Sequence, residues 1–325
     1  MMIDNLPNDF LKKIEELIHD SSMPPLGLIN LVNKYGYSYL VPLTDSFYKN
    51  PVFSIPNVDS ANLTSCLNKS DNPVFSKMNP TWMQPIIDVV KGENSGVFLD
   101  IGAFVGSVTI HLQKLAQDTF RYVAFEPNPV NRKILFLNLA MNGIDANVDI
   151  EPLACSQSNG VETFMVYASS SISGRLSSNP KEGTVSYPIE VTTICSYLEN
   201  KSSLGLIENS CIPLILKIDT EGHEWQVLRG IGKYWGNLLC CILEYWPSND
   251  LTYEKYLLEH FYVLKIRSCD FSNLIPYQEL SGAEELKAYG DESIRASSSV
   301  DVFLIPRING HKSCATLLEL SLSSD

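Results

Sequence analysis

No apolar run in this chain approaches the roughly 20 residues that a membrane-spanning helix needs. Nor is there a C-x-x-C pair. The eight cysteines stand apart at 66, 155, 195, 211, 240, 241, 269 and 314, except that 240 and 241 adjoin inside an apolar run. This pattern argues against a disulfide scaffold or a zinc site and fits buried thiols in a reducing compartment. A basic patch is missing too: the formal net charge is −13 and the longest basic clusters are pairs such as Arg132 with Lys133. A phosphate-coated partner is repelled by such a surface, so nucleic acid and anionic membranes are disfavoured. There is no internal repeat and no G-x-G-x-x-G.

What is present is ordinary globular composition, 45% apolar and 19% charged, in a chain long enough for one large α/β domain and an attached segment. Residues 1–20 carry Asp4, Asp9, Glu15 and Glu16, with Phe10, Leu11, Ile14, Leu17 and Ile18 at helical spacing. That reads as an amphipathic helix and not as an export signal, so a cytoplasmic protein is expected. Residues 1–80 then pass through Pro24, Pro25 and a Pro/Ser/Asn-rich stretch over 48–80. They are expected to form an N-terminal helical extension, a cap or a substrate-side segment. The main domain is expected over 81–310 and a tail over 311–325.

From residue 82 apolar strands alternate with helix-length segments, the mark of a mostly parallel sheet covered on both faces. Strands are expected at 96–101, 121–125, 148–152, 161–167, 188–193, 213–219, 238–245, 262–267 and 300–305. Helices are expected at 107–117, 130–142, 194–202, 224–234 and 253–260. The Ser- and Gly-rich passages 169–187 and 289–299 read as loops, long enough to serve as lids.

The first strand leads through Asp100 into Gly102-Ala-Phe-Val-Gly106 and then a helix. Gly102 permits a tight turn and Gly106 a close approach at the helix start, where N–H groups are free. In open α/β sheets this turn lies where ligands bind. Its spacing is not that of a dinucleotide site, and the acid at Asp100 suits an ammonium-bearing tail better than a pyrophosphate. Glu126 ends the next strand, is followed by Pro127, and is placed to accept two ribose hydroxyls. The bland readings are a ligand-free turn and a surface Glu.

With these residues in view the chain resembles the FkbM family of class I methyltransferases, from about residue 97 to 305. The resemblance rests on Asp100-Ile-Gly-Ala-Phe-Val-Gly106, Phe125-Glu-Pro-Asn128, Ala154, the strand 160–164, Leu216-Lys-Ile-Asp-Thr-Glu-Gly-His-Glu224, Val227-Leu-Arg-Gly230 and Ile242-Leu-Glu244. It implies a Rossmann-like α/β fold with a mostly parallel seven-stranded sheet whose last strand is antiparallel. It also implies S-adenosylmethionine as methyl donor, a cofactor site at Asp100, Gly102, Ala103, Gly106, Glu126, Pro127, Asn128 and Ala154, and a small-molecule or glycan hydroxyl as acceptor. Three departures stand out: Phe104 where the family commonly has Asn, His223 where it has Ala, and Thr193-Ile-Cys195 for Thr-Leu-Asp.

A second polar group gathers where the strand over 213–219 ends. Methyl transfer from a sulfonium needs alignment, and an alcohol acceptor needs a base for its proton. Asp219 is expected to border donor and acceptor, with Glu221 or His223 taking the proton. Lys217 reads as a counter-ion to Asp219, and Glu224 as a helix-dipole residue. Asp219, Glu221, His223 and Glu244 also contain the makings of a divalent-ion site, but without a dedicated ligand pattern no metal is expected. Trp246, in Tyr245-Trp246-Pro247, is expected in the core, with an aromatic wall for the acceptor as the other reading. The competing functions are N- or carboxyl-methylation and a non-catalytic binding module; a nicotinamide dehydrogenase is the weakest.

Overall fold

The computed structural model describes residues 28–32, 38–42, 84–116, 120–167, 170–177, 182–202, 212–266, 278–295 and 300–307. The helix expected over 1–20 and the tail expected over 311–325 lie outside them. What is described of the N-terminal segment is a β-hairpin, β1 (Leu28–Val32) with β2 (Ser38–Pro42).

The main body is an eight-stranded sheet. In chain order its strands are β3 (Gly96–Ile101), β4 (Phe120–Phe125), β5 (Val148–Glu151), β10 (Leu214–Ile218), β11 (Leu238–Glu244), β12 (Phe261–Lys265), β13 (Gln278–Leu280) and β14 (Asp301–Pro306). The spatial order is β13-β12-β14-β11-β10-β3-β4-β5. β5, β4, β3, β10 and β11 are mutually parallel, and β14, the last in sequence, inserts antiparallel between β11 and β12. The seven-stranded sheet with an antiparallel last strand is therefore present, with the short β13 added at its edge.

Alternation along the central strands explains the two-layered core. Phe98 of β3 and Ile215 of β10 face one side, with α1 (Gln84–Gly92), α2 (Ser107–Ala116) and α3 (Pro129–Met141) contributing Ile86, Val108, Ile110, Leu135 and Leu139. Leu99, Ile101, Leu216 and Ile218 face the other. There α4 (Ile194–Ser202), α5 (Glu224–Arg229), α6 (Thr252–His260) and α7 (Ala283–Arg295) supply Ile194, Leu198, Val227, Leu228, Leu257 and Leu286. A separate four-stranded sheet, in the order β6-β9-β7-β8, is built from β6 (Ala154–Cys155), β7 (Gly160–Tyr167), β8 (Ser170–Leu176) and β9 (Thr184–Thr192).

Three expectations are corrected. Much of the loop expected over 169–187 is β8 and the first half of β9, paired antiparallel to β7. Residues 289–295 continue α7. Gly290 sits in that helix where a Cβ would lie 2.7 Å from Tyr245 Cε1. Finally, the helix expected over 224–234 stops at Arg229. Gly230 passes so close to Ser156 that a Cβ would come within 2.2 Å of its carbonyl oxygen, and Gly232 turns the chain with φ +58°. A 3-10 turn, Gly232–Asn237, then leads to β11.

Candidate active site

Register places the site. Ile218 pairs with Ile101 and with Leu243, and Ile101 pairs with Phe125. Gly102, Glu126, Asp219 and Glu244, the residues that follow, therefore emerge at one carboxyl edge. The chain runs outward from β3 to β5 and returns at β10 beside β3, so this edge is also the topological switch point where open α/β sheets bind ligands.

The turn after β3 is tight by necessity. Gly102 has φ +78°, and a Cβ on it would lie 1.8 Å from the Asp219 carbonyl oxygen, so the ends of β3 and β10 touch through a bare backbone. The Gly102 and Ala103 N–H groups donate to the Phe125 carbonyl at 3.1 and 2.9 Å. Gly106 has φ +85° and opens α2, and Asn138 Nδ2 holds the Val105 carbonyl at 2.7 Å. Phe104 adopts φ +52°, a left-handed conformation that favours Gly and Asn over a bulky side chain. That accounts physically for the Asn of the family at this place. Its N–H is fixed by Glu126 Oε2 at 2.7 Å, while Oε1 of the same carboxylate accepts the Asn128 N–H at 2.9 Å. Burial raises the Glu126 pKa to about 7 against these two amides and the more distant Lys217 and Arg132. The Arg132 guanidinium donates to the Glu126 and Pro127 carbonyls, bracing the start of α3.

Asp100 points inward and is fully buried. Thr109 Oγ1 donates to its Oδ2 at 2.6 Å, and Lys217 Nζ lies 3.3 Å from its Oδ1. The same ammonium donates to the Gly102 carbonyl at 2.6 Å and stands 3.6 Å from Asp219 Oδ2. Lys217 is thus the hub of the site: it ties both acidic strand ends and the glycine turn together. Reading it as a counter-ion of Asp219 alone understates it. A lysine in the otherwise apolar Leu214–Ile218 is the signal in the sequence.

After β10 the chain folds tightly, with Glu221 at φ +57° and Gly222 at φ +101°. Glu224 closes this turn. Its buried Oε1 accepts the Thr220 N–H, the Thr220 hydroxyl and the Gly222 N–H at 2.8, 2.9 and 3.1 Å. This contact, more than the helix dipole, accounts for Glu224. His223 is half-buried and burial lowers its pKa to about 4, leaving a neutral imidazole at pH 7. Its Nε2 lies 2.9 Å from Ser156 Oγ, so Ala154 and its strand reach the site through Ser156.

Asp219, Glu221 and Glu244 converge: each offers a carboxylate oxygen, and the three oxygens lie within 4.8 Å of one another. Glu244 is buried, and its Oε2 accepts the indole N–H of Trp246 at 3.1 Å. Trp246 itself is 40% exposed and not a core residue. The structure therefore brings Asp100, Gly102, Phe104, Glu126, Asp219, Glu221 and His223 to one rim. It joins to them Lys217, Glu244 and Trp246, which the sequence also singles out, and it adds Thr109 and Ser156.

The Methyltransferase FkbM domain model matches residues 100–270, just over half of the chain. Methyltransferase sdnD of Sordaria araneosa is 24% identical, over 53% of this chain and 75% of its own length. Among solved structures, methyltransferase FkbM from Methylobacillus flagellatus shares 13% identity and a TM-score of 0.38, over 65% of this chain. This chain spans 44% of that protein. An O-methyltransferase from Bacillus cereus in complex with SAH shares 10% identity and a TM-score of 0.34, over 76% of this chain and 87% of that one. On the strength of the domain match the chain belongs to the FkbM methyltransferase family, with S-adenosylmethionine as its cofactor.

Proposed function

We propose that the protein methylates a hydroxyl of a sugar or small natural product. The observation that carries this reading is the convergence of Asp219, Glu221 and Glu244 beside the Gly102 turn. A hydroxyl acceptor needs hydrogen-bond acceptors to orient it and a group to take its proton, and this rim supplies both. A carboxylate acceptor would be repelled there, which weighs against carboxyl methylation. An amine acceptor remains the second reading, for the same electrostatic reason.

The rim fits the donor. The bare turn, closed against the Asp219 carbonyl at Gly102 and against Leu135 at Gly106, lies beside the carboxylate of Glu126 at the switch point, where an adenosyl group and an ammonium-bearing tail would sit. Bound there, S-adenosylmethionine supplies a methyl group already activated on a sulfonium. Glu126 retains lone pairs beyond its two amide bonds for ribose hydroxyls. Asp100 acts through Lys217 and Thr109, which set the turn. Asp219 orients the acceptor, and Glu221 takes the proton. His223, neutral and engaged by Ser156, serves as base only if Ser156 releases its Nε2.

Residues 1–80 form the substrate side in this reading. Cys155, Cys195 and Cys241 are in no disulfide, and a cytoplasmic location is part of the same proposal. No helix among the described residues is long and apolar enough to cross a membrane. The test is transfer of labelled methyl from S-adenosylmethionine to a panel of glycosides and amines, with product analysis. Label on oxygen supports the proposal. Label only on nitrogen or carboxylate overturns it.

A further inference from the structure

Trp246 stands apart from its neighbours. Tyr245 is buried and its hydroxyl donates to Glu254 Oε1 at 2.5 Å. Ser248 is held through its N–H by the same oxygen at 2.7 Å, and its carbonyl accepts Lys287 Nζ at 2.7 Å. Its hydroxyl donates to Glu254 Oε2 as well. Gly290 of α7 lets Tyr245 and Pro247 sit directly against that helix: a Cβ there would lie within 3.0 Å of Pro247 Cδ and Cγ. The backbone is therefore pinned on both sides of a side chain that is 40% exposed.

A loop fixed this firmly has no packing reason to present an indole to water. Burying even half of a tryptophan is favourable, and the few other large apolar side chains exposed among the described residues, Val161 and Ile294, are aliphatic. The ring's orientation is also set. Its N–H is tied to Glu244 Oε2, and Glu244 belongs to the trio with Asp219 and Glu221. One edge of the ring thus meets the acidic rim while part of its surface stays open.

We infer that Trp246 is a specificity-determining residue, the wall on which a ring of the acceptor stacks while Glu244 positions the indole. This rests on the O-methylation reading for the class of acceptor. A sugar ring offers a face of C–H bonds to an indole and hydroxyls to carboxylates, so one molecule satisfies both surfaces. The charge of the rim selects further: neutral rings, and more strongly rings carrying an ammonium group, are accepted, and rings carrying a carboxylate or phosphate are refused. An ammonium gains from the carboxylates and from the indole face alike.

The test uses the full-length protein saturated with S-adenosylhomocysteine. Methyl glucoside, methyl glucosaminide and methyl glucuronide are titrated by saturation-transfer NMR against wild type, Trp246→Ala and Trp246→Phe. The expected order is glucosaminide, glucoside, then glucuronide. Trp246→Ala should weaken the first two by about tenfold, with S-adenosylhomocysteine affinity unchanged, and Trp246→Phe should restore most of the loss. Identical behaviour of wild type and Trp246→Ala toward all three probes overturns the inference, as does tightest binding of the glucuronide. Binding that depends on Trp246 without labelled-methyl transfer to oxygen would sink the proposed reaction and leave the stacking wall standing.

Discussion

Replacing Lys217 by Met keeps the unbranched apolar stem, one atom shorter, and removes the charge. In the folded protein the Lys217 side chain is 6% exposed, and its ammonium faces Asp100 Oδ1 at 3.3 Å, Asp219 Oδ2 at 3.6 Å and the Gly102 carbonyl at 2.6 Å. The variant strands the carboxylate of Asp100, which has no access to water, and leaves the Gly102 carbonyl without this donor. Removing one partner of a buried ion pair costs about 3–5 kcal/mol, which at about 2–4 °C per kcal/mol for a domain of this size lowers Tm on the order of 10 °C. Asp219 is half-buried and adds little to this sum. A second substitution, Asp100→Asn, removes the stranded charge, so Lys217→Met with Asp100→Asn should be more stable than Lys217→Met alone. Thermal unfolding followed by circular dichroism on wild type, both single variants and the double variant measures the coupling. A Lys217→Met protein melting within about 2 °C of wild type, or two losses that simply add, would refute the hub.

Glu126 has its pKa raised to about 7 by burial, so between its ordinary value and 7 the native state binds more protons than the unfolded chain. This contribution to stability is full at the acid end and is lost as pH rises through 7. Glu126→Gln should therefore make the slope of unfolding free energy against pH more positive over that window, by up to about 1.4 kcal/mol per pH unit, as read by urea titrations at several pH values. The imidazoles act with the opposite sign. His223 and His111 are both lowered to about 4 by burial, so each contributes stability above 6.5 that is lost as pH falls toward 4. His223→Gln should remove one of these two losses, and acid unfolding monitored by fluorescence should shift to lower pH.

The central strands were legible because they are buried on both faces: Val97, Phe98 and Leu99, and Leu214, Ile215 and Leu216, are unbroken apolar runs that only a covered parallel sheet accommodates. Elements at the periphery were not. β8, Ser-Ser-Ile-Ser-Gly-Arg-Leu, is a polar edge strand of the smaller sheet, and its residues match turn chemistry as well as a strand. α7 does not read as a helix, and its last turns, 289–295, read as a loop because Gly290 and the serines that follow match loop chemistry unless the Tyr245 ring against Gly290 is known. At the site, register carried Asp100, Glu126 and Asp219 to one rim from the sequence alone. Distances were needed for the rest. Only the structure shows that Lys217 spans two strand ends, that Glu224 closes the turn at Thr220, and that the Trp246 indole stays exposed.

The donor site is the account's central claim, and isothermal titration of S-adenosylhomocysteine into wild type and Gly102→Ala tests it most directly. A methyl at residue 102 would meet the Asp219 carbonyl oxygen at 1.8 Å in a backbone with φ +78°, so the turn has to move. Wild type should bind one equivalent per chain, and Gly102→Ala, checked for folding by circular dichroism, should bind at least about 100-fold more weakly, a loss of about 2.7 kcal/mol or more. No binding by folded wild type, or equal binding by the two proteins, would contradict the account.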